Sequence, residues 1–545
     1  MKKLIQINMI STIKSYLRFI CLLRVEPLML LFTTCYFLKR NPQDVLFQDK
    51  LCRNKYNMSE EFCLHLSDNH PNDTDSGLRT EILSDAVMYN AYNQWMTLPV
   101  SIVWSLFLGA WIDRYPKGRK WVFIIGTITQ AMEAAINGLN SYFFASLNVN
   151  WILISYVPYI LSGASTWTTI YSYVGITTPA KYRTTRMTII EVMFAFAQPL
   201  GVYLGGLLIN RAPVGGNGQL HNTGLIFLVS CIGNIVAFLW VLLFINQQKD
   251  SENFEKYFGD DNTVTKNVNE FNDLNTNIDT NTDNETKTIV DNNKAIHPLR
   301  LLLDWRNVKD IVMSCFKSRS HFVRAQLMLI IMADFCGYFI KSGILTFAFQ
   351  FAEKIYNWDS KVFSEYQSMS LIITSISVLL LTSVLIRIFK CNDMCLAIIG
   401  FLSILLQNLI LGVILKPTGY YISMGVNCMS SLGNIGYKTH LSKIITPLEL
   451  GKVFTLVSVV DAIAPIIAAP LFAFVFKNTI DTLPGTCFLI LAGVASIPIL
   501  IALTIDYINR YKITVIIKTH TECVENGIIN SSVGNNNECN TGIKR

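Results

Sequence analysis

The chain has 545 residues, of which 51% are hydrophobic and only 15% charged, with a mean hydropathy of +0.37. A soluble protein of this length carries about 25% charged residues, so the composition excludes a soluble enzyme and indicates a polytopic membrane protein. The net charge of +7 is not a nucleic-acid signal, because the basic residues sit in tails and short loops rather than on one domain.

One crossing of a bilayer takes about 20 apolar residues. Twelve such runs are legible, at 22–38, 89–112, 120–140, 150–175, 187–209, 223–246, 325–350, 366–389, 394–415, 418–440, 453–476 and 485–507. The predicted fold is all-α, with the twelve spans in two six-helix bundles, 22–246 and 322–507. Tails at 1–21 and 508–545 flank them, and a linker at 247–321 separates them. Loop cations set the orientation. The N-terminal tail carries Lys2, Lys3, Lys14, Arg18 and Arg24 with no acid, and the loop 176–187 carries Lys181, Arg183 and Arg186. The alternate loops 141–149 and 210–222 hold only Arg211, so the positive-inside rule puts both termini in the cytoplasm. No cleavable signal peptide is evident, since the basic N-terminal stretch lacks a small-residue cleavage site.

The first outer loop, 39–88, is long and acidic. It holds two glycosylation triplets, Asn57-Met58-Ser59 and Asn72-Asp73-Thr74. Cys52 and Cys63 lie beside them and are predicted to pair, because an outer loop is oxidising. The other cysteines fall mostly inside apolar runs, where a thiol behaves as a small hydrophobe. The linker contains the Asn-rich run 272–284, which cannot bury a core and is predicted to be disordered. Its second part, 295–316, alternates apolar and basic residues like an interfacial helix.

Ionisable side chains inside a membrane are costly, so each is a candidate for function. Span three has Glu133 and span five Glu191. Span seven has Asp334 and Lys341, seven residues apart and so on nearly one helix face, about 10 Å apart along the axis. Span ten ends in Lys438 and His440, and span eleven holds Asp461. These groups can trade partners while holding a proton or an anion. The alternatives are static salt bridges, including one between Glu191 and Arg186, and simple snorkelling of Lys438 and His440 to the interface. Gly201, Gly205 and Gly206 form a small-xxx-small pattern that favours close helix packing.

Between spans two and three, Gly109-Ala110-Trp111-Ile112-Asp113-Arg114 is followed by Gly118-Arg119-Lys120. This resembles the loop signature of the major facilitator superfamily, with one departure: Gly118 lies five residues after Asp113, two more than in the signature. Further stretches narrow the resemblance. Val25-Glu26-Pro27 opens span one; Arg183-Thr184-Thr185-Arg186-Met187, followed by Glu191, opens span five. Trp358-Asp359-Ser360-Lys361 lies between spans seven and eight, and Leu441-Ser442-Lys443 follows span ten. In this order and spacing they resemble the proton-coupled folate transporter family (solute carrier family 46), across 22–246 and 322–507.

The resemblance implies a secondary transporter that couples a small organic anion to protons by alternating access. No cofactor or metal is implied, since protons serve as the coupling ion. Glu191 would be the proton-coupling residue, with Asp334 in the neighbourhood of an intramembrane histidine that the folate carrier has and this chain lacks. Lys438 would occupy the place of a substrate-linked arginine, with Lys341 and Asp461 beside it in the substrate site. Gly109, Asp113, Arg114, Gly118 and Arg119 would form the loop that controls cycling. Lysine lacks arginine's bidentate fork, so the anion need not be folate; cyclic dinucleotides and muropeptides are further candidates. The partners implied are the lipid bilayer and the small-molecule substrate. The plasma membrane is the expected location, with a lysosomal or endosomal membrane the second. The competing functional class is a ligand-sensing receptor of the same fold that binds without transporting.

Overall fold

The computed structural model describes residues 21–66, 76–114, 118–161, 165–214, 218–258, 321–445 and 447–531. Among them the regular structure is helical, with no strand. The N-terminal half runs α1 (Val25–Leu38), α2 (Arg40–Lys50), a π-helical turn (Leu51–Lys55), α3 (Glu60–Leu64), α4 (Ser76–Arg114) and α5 (Gly118–Tyr142). It continues through α6 (Asn150–Ile154), α7 (Val157–Ile160), α8 (Ser165–Thr177), α9 (Ala180–Ile209), α10 (Thr223–Phe244) and the polar α11 (Gln247–Phe258). The C-terminal half runs α12 (His321–Tyr356), α13 (Ser360–Arg387), α14 (Asp393–Val413), α15 (Pro417–Val426), a 3-10 turn (Asn427–Met429), α16 (Leu432–Ile444), α17 (Pro447–Thr479) and α18 (Thr486–Ser531).

Eight of these helices, α5, α9, α10, α12, α13, α14, α17 and α18, contain a stretch long and apolar enough to cross a bilayer. The other four predicted spans fall on helices that are more polar or interrupted: α1–α2, α4, α6–α8 and α15–α16. Within the halves, α5 lies along α10, α1 along α9, α14 along α18 and α12 along α17. The halves meet along α9 with α13 and along α4 with α17. Glycine makes the first of these contacts possible. A Cβ at Gly201 or Gly205 would strike the α1 backbone at Thr34 and Leu38, and one at Gly206 would strike Ser364 of α13.

Three boundaries differ from the sequence expectation. The first outer loop does not begin at residue 39, because α2 carries the helix on to Lys50 and α4 begins at Ser76. Hydropathy stops at Lys39 because it treats polar residues as exposed. Here they are buried and bonded: Lys39 donates to Glu133 at 2.5 Å, Asn41 to Ser364 at 2.9 Å and Gln48 to Glu353 at 2.7 Å. The linker likewise opens as a helix. Asp250 of α11 accepts the Tyr173 hydroxyl at 2.5 Å and pairs with Arg24 at 2.9 Å, while Phe254 is buried under the Arg186 guanidinium. The C-terminal tail continues α18 as far as Ser531, with no proline between 508 and 531 to break it. The Asn-rich run and the stretch 295–316 lie outside the described residues.

At the end that charge bias assigns outside, Cys52 and Cys63 form a disulfide with Cα atoms 5.9 Å apart. Asn57 is exposed there, with φ of 52°; Asn72 lies outside the described residues. The two halves are bonded across this same end. Besides the Asn41 and Gln48 bonds, Asn210 donates to Asp359 at 2.6 Å and Lys477 to Asp85 at 3.1 Å.

Candidate functional site

Asp334, Tyr338 and Lys341 lie on one face of α12, spaced four and three residues apart. The helix α16 brings Lys438 to that face and α17 brings Asp461. Lys438 Nζ stands 3.9 Å from Asp334 Oδ2 and 3.9 Å from Asp461 Oδ2, with the Tyr338 ring 5.4 Å away. Both carboxylates are buried, while the lysine side chain keeps 36% of its surface. A separation of 3.9 Å attracts but does not make a hydrogen bond. Both oxygens of Asp334, and Oδ1 of Asp461, have no hydrogen-bond partner. The two carboxyls are close enough to bond each other once one of them carries a proton. Protonation thus supplies the donor that the cluster otherwise lacks.

Lys341 is different. It is accessible, it has no carboxylate partner among the described residues, and the charge it senses is that of Lys438. The face-sharing expected between Asp334 and Lys341 is present, but Asp334 pairs across helices with Lys438 instead.

The local backbone explains why Lys438 reaches the interior. Span ten is interrupted by the 3-10 turn Asn427–Met429, and span four, its counterpart in the other half, is interrupted at residues 155–156 between α6 and α7. Paired interruptions in corresponding spans are the usual backbone sign of a transporter's binding site. Gly400 and Gly433 let α14 and α16 pack at close range just after that turn, since a Cβ at Gly400 would overlap the Gly433 backbone.

The remaining candidates are dispersed. Glu191 is exposed on α9 and faces the hydroxyl of Tyr171 on α8; among the described residues nothing joins it to Lys438. Arg186, considered as its partner, is instead fully buried and bonded to Glu26 at 2.5 Å and to the Thr177 and Thr178 hydroxyls at 3.0 Å each. Glu133 is held by Lys39. His440 lies 3.2 Å from Gln326 and 3.9 Å from Asp393, apart from the Lys438 cluster. In the pivot loop Gly118 and Arg119 are buried, and Arg119 donates to Ser172 at 3.2 Å and to Gln247 at 3.4 Å, joining α5 to α8 and α11. Gly109, Asp113 and Arg114 close α4, and their surroundings lie outside the described residues.

Tyr338 was not singled out in the sequence, and Glu26 only as part of the motif that opens span one. For Tyr338 the signal was available, because it falls between Asp334 and Lys341 on the same helical face. For Glu26 nothing in a polar residue at a helix start indicates a partner 160 positions later.

Comparison with known proteins agrees with this architecture. The sequence pattern of the Major Facilitator Superfamily matches residues 95–469. The chain is 22% identical over 394 residues to the "Probable peptidoglycan muropeptide transporter SLC46" of Drosophila melanogaster, covering 70% of this chain and 66% of that relative's length. In structure it is similar to the inward open xylose transporter XylE from E. coli, with a TM-score of 0.56 and 16% identity over 89% of this chain and 95% of that one. It is also similar to the human organic anion transporter MFSD10 (TETRAN), with a TM-score of 0.56 and 13% identity over 88% and 99%.

Proposed function

Because the chain belongs to the major facilitator superfamily, we propose that it is a secondary transporter that moves a small organic anion together with protons, using Asp334, Lys438 and Asp461 as its coupling site. The observation that carries this reading is the placement of Lys438, 3.9 Å from each of two buried carboxylates, three of whose four oxygens lack a hydrogen bond. Fully ionised, the three groups sum to one negative charge, which repels an anion. One proton neutralises the set, bonds the carboxyls to each other and loosens their hold on Lys438. The lysine then has charge to offer a substrate anion, so binding of proton and anion favour each other. Lys341, accessible and with no carboxylate partner among the described residues, gives the anion a second contact. Burial makes the charge state of the two carboxylates matter, since an ionised carboxylate out of water is costly without hydrogen bonds.

Glu191 takes a secondary place here. Accessible on the other half and facing Tyr171, it is a further proton acceptor on the cytoplasmic approach rather than a direct partner of Lys438. Among anions, the name of the fly relative makes a muropeptide the first to try, with folate-like pteridines and cyclic dinucleotides next.

The test uses the full chain in proteoliposomes with labelled muropeptide, pteridine and cyclic dinucleotide. An imposed inward proton gradient should drive accumulation of one of them above equilibrium. Asp334→Asn should abolish that accumulation but leave counterflow exchange. Accumulation that persists undiminished in Asp334→Asn refutes the coupling site, and saturable binding without counterflow identifies a receptor.

A further inference from the structure

The outer seam between the halves contains a cluster of titratable groups that the coupling site does not use. His221, in the loop before α10, has Nδ1 3.0 Å from Oδ2 of Asp49 at the end of α2. The imidazole keeps 22% of its side-chain surface and so is reachable from water, whereas Asp49 keeps only 3%. From the other half come two more carboxylates. Glu353, in the last turn of α12, accepts the Gln48 amide at 2.7 Å; Asp359, which caps α13 at Val362 N, accepts Asn210 at 2.6 Å. Both act electrostatically on His221. Three carboxylates from α2, α12 and the α13 cap thus converge on one imidazole.

We infer that His221 is a proton sensor at the outer seam: protonated, it holds the two halves together there and favours the outer-closed conformation. A neutral imidazole leaves the buried Asp49 carboxylate uncompensated, with Asp359 acting on the same imidazole from the other half. An imidazolium compensates them and charge-assists its bond to Asp49. Opening the outer end has to break the Gln48–Glu353 bond and carry Glu353 and Asp359 away, which leaves His221 with Asp49 alone. The proton therefore binds more tightly in the closed form, and by linkage outside acid shifts the population toward closure. The electrostatics have the required sign. Burial alone depresses the imidazole's proton affinity, but the charge and hydrogen bond of Asp49, with Glu353 and Asp359 behind them, raise it above the ordinary histidine value. The closing force is then complete below that ordinary value and fades as pH rises through the raised one. This inference rests on the chain being a two-state transporter but not on Asp334, Lys438 and Asp461 coupling the proton.

The experiment measures conformation, so it needs no substrate. Spin labels at the exposed positions Glu61 and Leu483, on the outer loops of opposite halves, report the outer separation of the full chain in lipid nanodiscs from about pH 5 to about pH 8.5. In the parent protein the closed-to-open ratio should rise about tenfold on acidification, the change produced by one unit of difference in proton affinity between the two conformations. His221→Gln should make the ratio insensitive to pH between about pH 5 and about pH 7. Asp359→Asn, which keeps the imidazole and the helix cap and removes a charge of the opposite half, should lower the midpoint, and it serves if His221→Gln does not accumulate. A parental pH response in His221→Gln, or an unmoved midpoint in Asp359→Asn, overturns the inference. Asp334→Asn separates the two proposals. If its seam still responds to pH while proton-driven accumulation is lost, both stand. If the seam response disappears with Asp334 and survives without His221, the inference falls and the coupling site stands.

Discussion

Both halves bury charge inside the membrane domain, but they do so in opposite ways. In the N-terminal half two buried ion pairs are one to one and bonded at short range: Arg186 with Glu26 at 2.5 Å and Lys39 with Glu133 at 2.5 Å, every partner nearly inaccessible. Arg186 adds two threonine hydroxyls and the Phe254 ring, so the guanidinium is surrounded by partners. In the C-terminal half one lysine is shared by two carboxylates at 3.9 Å, with oxygens left over and a side chain still partly accessible. Apart from Arg186 Nη2, which has no hydrogen-bond partner, the first arrangement is satisfied and leaves no carboxylate oxygen waiting for a proton. The second is short of a proton and can accept one. A buried ion is thus a poor guide to function by itself; what it lacks is the better guide.

The largest effect expected from this contrast is on folding. Removing one partner of a buried, bonded pair leaves an uncompensated charge and costs about 3–5 kcal/mol. Arg186→Ala should therefore reduce folded protein severely, as read by detergent thermal stability and yield, and Glu26→Gln should do so less because it keeps a hydrogen-bond acceptor. If Arg186→Ala proves as stable as the parent yet transports abnormally, the N-terminal pairs are functional and the contrast fails.

Next in size comes the C-terminal cluster, where stability should be spared and transport lost. Asp461→Asn removes a charge that already lacks its full set of partners, so its thermal stability should stay within about 1 kcal/mol of the parent. Proton-driven accumulation should nevertheless fall at least tenfold. Lys438→Arg should retain activity, because it keeps the charge and adds a fork suited to carboxylates. A stability loss in Asp461→Asn comparable with that of Arg186→Ala would make the cluster another structural pair.

How much of this could be read from the sequence follows the same division. The helical plan, the superfamily loop, and the presence of charges at 334, 341, 438 and 461 were all visible, because hydropathy and spacing report on single helices. Partner choice was not. Asp334 and Lys341 share a face, but seven residues along one helix is about 10 Å, too far to bond directly, and the true partner arrives from α16. Arg186 sits five residues from Glu191 and yet bonds Glu26 on another helix. The polar run from Lys39 to Lys50 was read as loop for a related reason. A sequence shows that a residue is polar, and only the fold shows that a neighbour satisfies it.

Glu191 should produce a smaller effect. Accessible and set against Tyr171, it belongs to neither class. Glu191→Gln should leave stability unchanged and lower proton-driven accumulation by less than Asp334→Asn does. An effect as large as that of Asp334→Asn would move the principal coupling site to the N-terminal half and invert the comparison.

The smallest effect concerns a charged contact that joins the halves outside the membrane. Asp85 of α4 lies beyond the predicted span 89–112. It accepts from Lys55, from the Tyr56 hydroxyl at 2.9 Å and, across the seam, from Lys477 at 3.1 Å. Burial resists its ionisation, but the hydrogen bonds from Lys55, Lys477 and Tyr56 outweigh that and hold its carboxyl below the usual carboxylate range. A depressed carboxylate contributes its stability above the ordinary value and loses it only as pH falls through the lowered one. Between about pH 5 and pH 8 this contact should therefore be constant, in contrast to the one at His221. Lys55 and Lys477 are each about half exposed (47% and 46%), so solvent and salt screen the pair and its worth is below about 1 kcal/mol. Asp85→Asn should lower the outer-closed population by no more than about fivefold, by the same factor at each pH in that interval, and high salt should reproduce the loss in the parent protein. A deficit that grows on acidification would show Asp85 titrating with His221, and the seam would then be one coupled cluster rather than a pH-responsive contact beside a constant one.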